Sequence, residues 1–299
     1  MNIAVSRFDT FSLIVLAAIW GGSFIFMRIA APVLGPIWTA DLRVGIAGLV
    51  LWAVFLIRGA SLGWREHGRH YLVLGFVNSA LPFLLYAFAA QHIPASYSVI
   101  LNATSPLFGA VLAIIFLKDR LTAMKWIGLG LGALGVALVT DLGATRTDTL
   151  FWLSIGACLL AAACYAVGAT YLKLRASHLN PTAISTASLL CAGLILAPGL
   201  PLDPPRAPIT GLVIASVAAL AVVCSALAYL IYYRLISRIG PTRALTVTFL
   251  MPVFGMLWGF LFLHEIITLK MIAGASLVLL SLRFVLGDGN QGKSIMSGE

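Results

Sequence analysis

Residues 106–128 read PLFGAVLAIIFLKDRLTAMKWIG, and residues 252–274 read PVFGMLWGFLFLHEIITLKMIAG. With an offset of 146, Pro106 falls on Pro252, Phe108 on Phe254, Gly109 on Gly255 and Phe116 on Phe262. Asp119 then falls on Glu265, Thr122 on Thr268 and Gly128 on Gly274. Apolar coincidences mean little in so apolar a chain; paired prolines, glycines and an acid followed by threonine mean more. The register extends outward. Ser79 meets Ser225 and Tyr86 meets Tyr232 at the same offset, while at 145 Pro36 meets Pro181, Gly48 meets Gly193 and Arg28 meets Lys173. The second half repeats the first.

Composition names the solvent. Of 299 residues 61% are apolar and 10% charged, with a mean hydropathy of +1.03. An ordinary soluble domain carries about 25% charged residues. The apolar residues fall into ten segments, at approximately 10–30, 36–57, 70–91, 95–117, 124–140, 151–172, 181–199, 209–232, 242–263 and 269–286. Most approach the roughly 20 residues that a helix needs to cross a bilayer. Arg7 precedes the first run as in a signal peptide, but the run continues through Trp20 and Arg28, so it reads as a retained helix. The expected fold is an all-α membrane protein of ten transmembrane helices. Its parts are a first five-helix repeat at 10–140, a second at 151–286 and a polar tail at 287–299. No soluble catalytic or binding domain fits in the remaining loops.

Charge supplies the direction. One set of alternate loops holds Arg7, Arg58, Arg65, Arg69, Lys118, Arg120, Lys125, Lys173, Arg175, Arg234, Arg238, Arg243, Arg283 and Lys293. The opposite set holds only Arg146, Arg206 and Lys270. Under the positive-inside rule both termini are expected in the cytoplasm, as an even number of crossings requires. The net charge of +9 is dispersed over short loops, so it reads as topology and lipid contact, not as a nucleic-acid footprint. Five crossings per repeat is odd, so the halves insert in opposite senses. Inverted repeats of this kind build secondary transporters, with the substrate near the midplane at the repeat interface.

Trp20-Gly21-Gly22-Ser23-Phe24 resembles the WG-x-x-F signature of the drug/metabolite transporter superfamily, EamA type. The pattern Pro106…Leu117-Lys118-Asp119-Arg120-Leu121-Thr122…Gly128 and its echo at Pro252…His264-Glu265…Thr268…Gly274 are also similar to that family. The resemblance spans the whole chain. Within the family it is similar to YddG-type bacterial exporters of aromatic and other neutral amino acids. It implies a bacterial inner-membrane exporter that works by alternating access.

Pro106 and Pro252 mark the middles of segments 4 and 9. Each is expected to free a backbone carbonyl and kink its helix, beside a cavity or for packing alone. Segment 4 carries a polar stripe of Ser98, Asn102, Ser105 and Gly109 with Tyr97 beside it, and segment 3 offers Asn78 and Ser79, with Pro82 and Tyr86 one and two turns further. In the second half the counterparts are Thr248, Cys224, Ser225 and Tyr232, with Tyr229 adding another hydroxyl nearby, while Trp20 and Tyr165 fall midway along segments 1 and 6. These residues are candidates for a site with aromatic faces for an apolar side chain and hydroxyls and amides for a polar head. The competing reading is hydrogen bonding between helices.

Arg43 lies within segment 2, where a charge costs at least about 2.5 kcal/mol unless paired or hydrated. It is either a carboxylate-binding group or a structural partner of an acid or carbonyl. Asp41 does not face it, being two residues away on a helix. Arg28 reads as a snorkelling anchor. Asp41, Asp119, Asp141 and Glu265 all lie at segment ends. Without a midplane acid, a proton-for-cation drug antiporter is disfavoured, and facilitated movement of a neutral or zwitterionic solute fits better. Sugar phosphates would need several basic cavity residues.

No enzyme is expected, because the five histidines sit in loops or at segment ends and no nucleophile–base pair can be assembled. No cofactor and no metal site is expected either, since the four cysteines lack metal-ligand spacing. The glycines of segment 5, Gly128, Gly130, Gly132 and Gly135, read as a packing face.

Overall fold

The computed structural model describes residues 6–57, 59, 61–117, 122–140, 149–240, 244 and 246–287. Asp119, Asp141, the basic residues Arg58, Lys118, Arg120, Arg146, Arg243 and Lys293, and the tail from residue 288 lie outside them. Helices fill the described chain: segment 1 at Arg7–Leu34, segment 2 at Pro36–Ile57 and segment 3 at Trp64–Ala89. Segment 4 is Ala95–Asn102 followed by Ser105–Leu117, and segment 5 is Ala123–Thr140. Segments 6, 7 and 8 are Thr149–Arg175, Pro181–Leu202 and Gly211–Ile239. Val247–Leu263 and Leu269–Gly287 complete the set as segments 9 and 10.

Local chemistry sets the ends. Ser6 and Asp9 form a reciprocal capping box at the start of segment 1, satisfying two of the amides that every helix start leaves open. Asp9 also meets Arg238 at 2.9 Å, which ties the start of segment 1 to the last turn of segment 8. The turn after segment 1 uses Gly35 at φ 82, in the region glycine enters without strain. There the Asp203 carboxylate accepts from Ile37 N at 3.0 Å.

Glycine contacts show that the halves are inverted. An added methyl on Gly48 would meet Leu190 N at 2.9 Å, and one on Gly193 would meet Gly45 Cα at 3.3 Å. Advancing along segment 2 therefore means retreating along segment 7. Likewise a methyl on Gly128 would meet Ser281 O at 2.9 Å, and one on Gly135 would meet Gly274 O at 2.7 Å. Segments 5 and 10 thus run antiparallel, with the glycine face of segment 5 allowing the close approach. Segments 2 and 7, and 5 and 10, are repeat partners, as the two-fold relation requires.

Segments 3 and 8 widen at matching places. Phe76–Ala80 and Ala219–Leu227 are π-helical turns, a form that concentrates at functional sites. In segment 3 the turn stops at Leu81-Pro82, where proline cannot supply the next amide. In segment 8 Ser225 Oγ donates to Leu220 O, five residues back, at 2.9 Å, matching the wider ring. Segment 4, expected as one kinked rod, is broken at Ala103-Thr104. Pro106 leaves Asn102 O without its amide partner, and Ser105 Oγ donates to that carbonyl at 2.7 Å.

Candidate functional site

The two widened segments and the broken one converge where the repeats meet. Arg43, seven residues into segment 2, is only 4% exposed. Its Nε donates to Ser225 Oγ at 3.1 Å, and its Nη1 lies 3.6 Å from Met27 Sδ. The guanidinium carbon stands 3.9 Å from the Phe83 ring centroid, a cation–π contact whose strength rises as water is excluded. Tyr165 and Tyr229, both from the second repeat, are within electrostatic reach of the same guanidinium.

Aromatic rings extend from this point in two directions. Tyr165 stacks on Tyr86 at 6.3 Å and meets Phe83 edge-on at 6.4 Å. The Tyr86 hydroxyl donates to Asn102 Oδ1 at 2.9 Å, so the broken end of segment 4 is joined to the aromatic wall. On the other side Trp20 meets Tyr229 edge-on at 6.3 Å and Tyr232 at 5.2 Å. Trp20, Asn102, Ser105, Tyr165, Tyr229, Tyr232 and Thr248 are half-buried, whereas Ser79 and Ser225 are buried.

The sequence candidates therefore divide. Trp20, Arg43, Asn102, Tyr165, Ser225 and Tyr229 come together, with Pro82 next to Phe83 and Ser105 serving the break made by Pro106. Others are engaged elsewhere. Asn78 packs on segment 6, where a methyl on Gly168 would lie 2.8 Å from its Oδ1. Ser98 is buried 3.6 Å from Cys158 Sγ. Tyr97 meets Phe151 edge-on at 6.2 Å. Thr248 sits in the first turn of segment 9, one turn before Pro252. Arg28 donates to Ala90 O at 2.6 Å, a tie to the end of segment 3 as well as a helix-end anchor.

Three participants were not among the candidates: Met27, Phe83 and Glu265. Glu265 had a signal, its repeat partner Asp119, but its target is a tertiary feature. Its carboxylate accepts from Ala95 N at 2.6 Å, Ser96 N at 3.0 Å and Ser96 Oγ at 2.5 Å. It thereby caps segment 4 from across the bundle, where the helix dipole favours a negative charge. A methyl on Gly259 would lie 2.6 Å from its Oε2, so that glycine makes the room.

The family model of EamA-like transporters matches residues 10–141 and 152–287. An uncharacterized transporter of Archaeoglobus fulgidus is 27% identical, covering 89% of this chain and 94% of that one. The uncharacterized transporter YvbV of Bacillus subtilis is 26% identical over 90% of this chain and 88% of its own. Protein PecM of Dickeya dadantii is 24% identical over 89% and 88% respectively. A crystal structure with a TM-score of 0.64 covers 93% of this chain and 96% of that chain at 17% identity, which establishes the shared fold. The chain belongs to the EamA-like transporter family.

Proposed function

We propose that this transporter exports neutral or aromatic amino acids across a bacterial inner membrane by alternating access, moving them down their gradient, with both termini cytoplasmic. The observation that carries this reading is the run of aromatic rings beside Arg43, with Trp20 against Tyr229, Tyr165 stacked on Tyr86, and Tyr86 donating to Asn102. Rings of this kind accept an apolar side chain, while amide, phenol and guanidinium groups orient a polar head. The residues come from both repeats, so a solute held among them touches both moving halves.

A further feature supports a site between halves that rearrange. Matching π-helical turns place the buried Ser79 and Ser225 at equivalent points of segments 3 and 8. Such turns loosen the helical ladder where geometry must change.

Counterflow in proteoliposomes tests the proposal. The purified protein should accelerate exchange of labelled phenylalanine or leucine and not of a sugar phosphate. A pH gradient should leave the initial rate unaltered. Acceleration of a phosphate ester or a cationic drug, with no amino acid moved, would replace amino acids with that solute class. Rate enhancement by a pH gradient would replace facilitated movement with proton coupling.

A further inference from the structure

We propose that Arg43 is a carboxylate anchor: it makes an acidic group on the transported molecule obligatory and leaves the amino group dispensable. The inference rests on the transport reading above and sharpens its substrate class.

Arg43 is buried inside the bundle, yet among the described residues every partner it has is neutral: Ser225, Met27 and the face of Phe83. A guanidinium has five N–H donors. Nε spends its own on Ser225 and Nη1 turns one toward a sulfur, a weak acceptor. The remaining N–H on Nη1 and both on Nη2 have no acceptor among the described residues. Arg43 is only 4% exposed, so bulk water does little to satisfy these donors. The fork is held on several sides and left unclaimed at its tip.

No carboxylate in the described chain is available to neutralise it. Asp9 is bound to Ser6 and Arg238, and Asp203 to Ile37 N and Arg206. Glu265 caps segment 4, and Glu66 is exposed beside His67. Asp41 lies along segment 7, near Gly193. A buried charge is ordinarily paired or marks the path of a charged solute, and an arginine fork matches a carboxylate in two parallel hydrogen bonds. The arriving solute is the missing counter-ion.

The same residues offer an ammonium group neutral acceptors and ring faces but no counter-charge. Asn102 Oδ1 already accepts from Tyr86, and the flanking Tyr165 and Tyr229 supply neutral phenols. An amine lacking a carboxylate would add a second positive charge beside Arg43. A carboxylate lacking the amine would lose little.

The test is competition against labelled phenylalanine counterflow by 3-phenylpropionate, phenylalaninamide and phenethylamine, with thermal stabilisation of the full chain in lipid nanodiscs as a binding readout. With the wild-type protein, 3-phenylpropionate should compete comparably to phenylalanine. The amide and the amine should be weaker by about 10- to 100-fold, the size expected for lost hydrogen bonds to a charged group. Equal competition by the amide or the amine would overturn the anchor.

Arg43→Gln should erase the preference for acid over amide, and Arg43→Lys should retain part of it. A purely structural arginine would instead depress all ligands alike and preserve the ratio, which would also overturn the inference. Movement of labelled 3-phenylpropionate but not phenylalanine would remove the amino-acid reading and keep the anchor. Absence of binding and transport for both would remove the two together.

Discussion

Segments 4 and 9 occupy equivalent places in the two repeats, share a proline, a glycine and a following acid, and have different shapes. In segment 4 the residue before Pro106 is Ser105, whose hydroxyl takes the carbonyl that the proline frees; the helix breaks there. In segment 9 the residue before Pro252 is Met251, which has no hydroxyl, and the helix runs on through the proline. The glycines differ in the same way. A methyl on Gly255 would meet Val99 Cγ1 at 2.5 Å, whereas one on Gly109 would meet nothing within 4 Å. Segment 9 is held close against segments 1 and 4 at Gly255, while the second half of segment 4, packed through Leu107 on Leu282 and Val285, is open at Gly109. One motif, placed twice, packs closely at Gly255 and leaves space beside Gly109. If the repeats work by alternating access as proposed, exchange of the two packings would close the space beside Gly109 and open one at Gly255.

The largest effect should come from the glycines. Gly255→Ala forces atoms into a filled space and should cost about 1–3 kcal/mol, read as a lowered Tm in detergent. Gly109→Ala should leave the Tm unchanged and slow turnover, because segment 4 needs that space when it tightens in its turn. Equal thermal shifts for the two substitutions would break the comparison.

Glu265→Gln should come next. It keeps the shape and loses the charge that three donors share, a change of about 1–2 kcal/mol by analogy with helix caps. Maleimide labelling of a cysteine introduced at Tyr97 should then speed up from the Glu265 end of the bundle. An unchanged labelling rate would show that the cap does not hold that end closed.

Ser105→Ala should be the smallest, about 1 kcal/mol for one hydrogen bond. It leaves Asn102 O without its hydroxyl donor, and its partner experiment is Met251→Ser, which should weaken the continuity of segment 9. Transport rates that respond to neither would separate the break from function.

Much of this comparison was readable beforehand, because it rests on local chemistry. Proline removes an amide wherever it stands, so Pro106 and Pro252 could be named as special points. What each does depends on a neighbour, Ser105 or Met251, and on whether the freed carbonyl finds a donor. Asn78 shows the other side: its place on segment 3 suggested the central site, but the rotation of that helix sets it against Gly168. Phe83 was passed over because an apolar residue in an apolar helix carries no signal until a guanidinium is found above its face.

The sequence alone determined the solvent, the ten segments and the duplication, since hydropathy, segment length and repeated proline and glycine positions are properties of the chain itself. With five crossings per repeat, inversion followed. Tertiary structure decided which candidate residues come together, that Arg43 faces only neutral partners among the described residues, and that Glu265 caps the helix starting at Ala95, 170 residues away in sequence. Those facts depend on how each helix is rotated and on which distant segment lies beside it. Both are set by packing between the halves, and a single helix's pattern does not carry them.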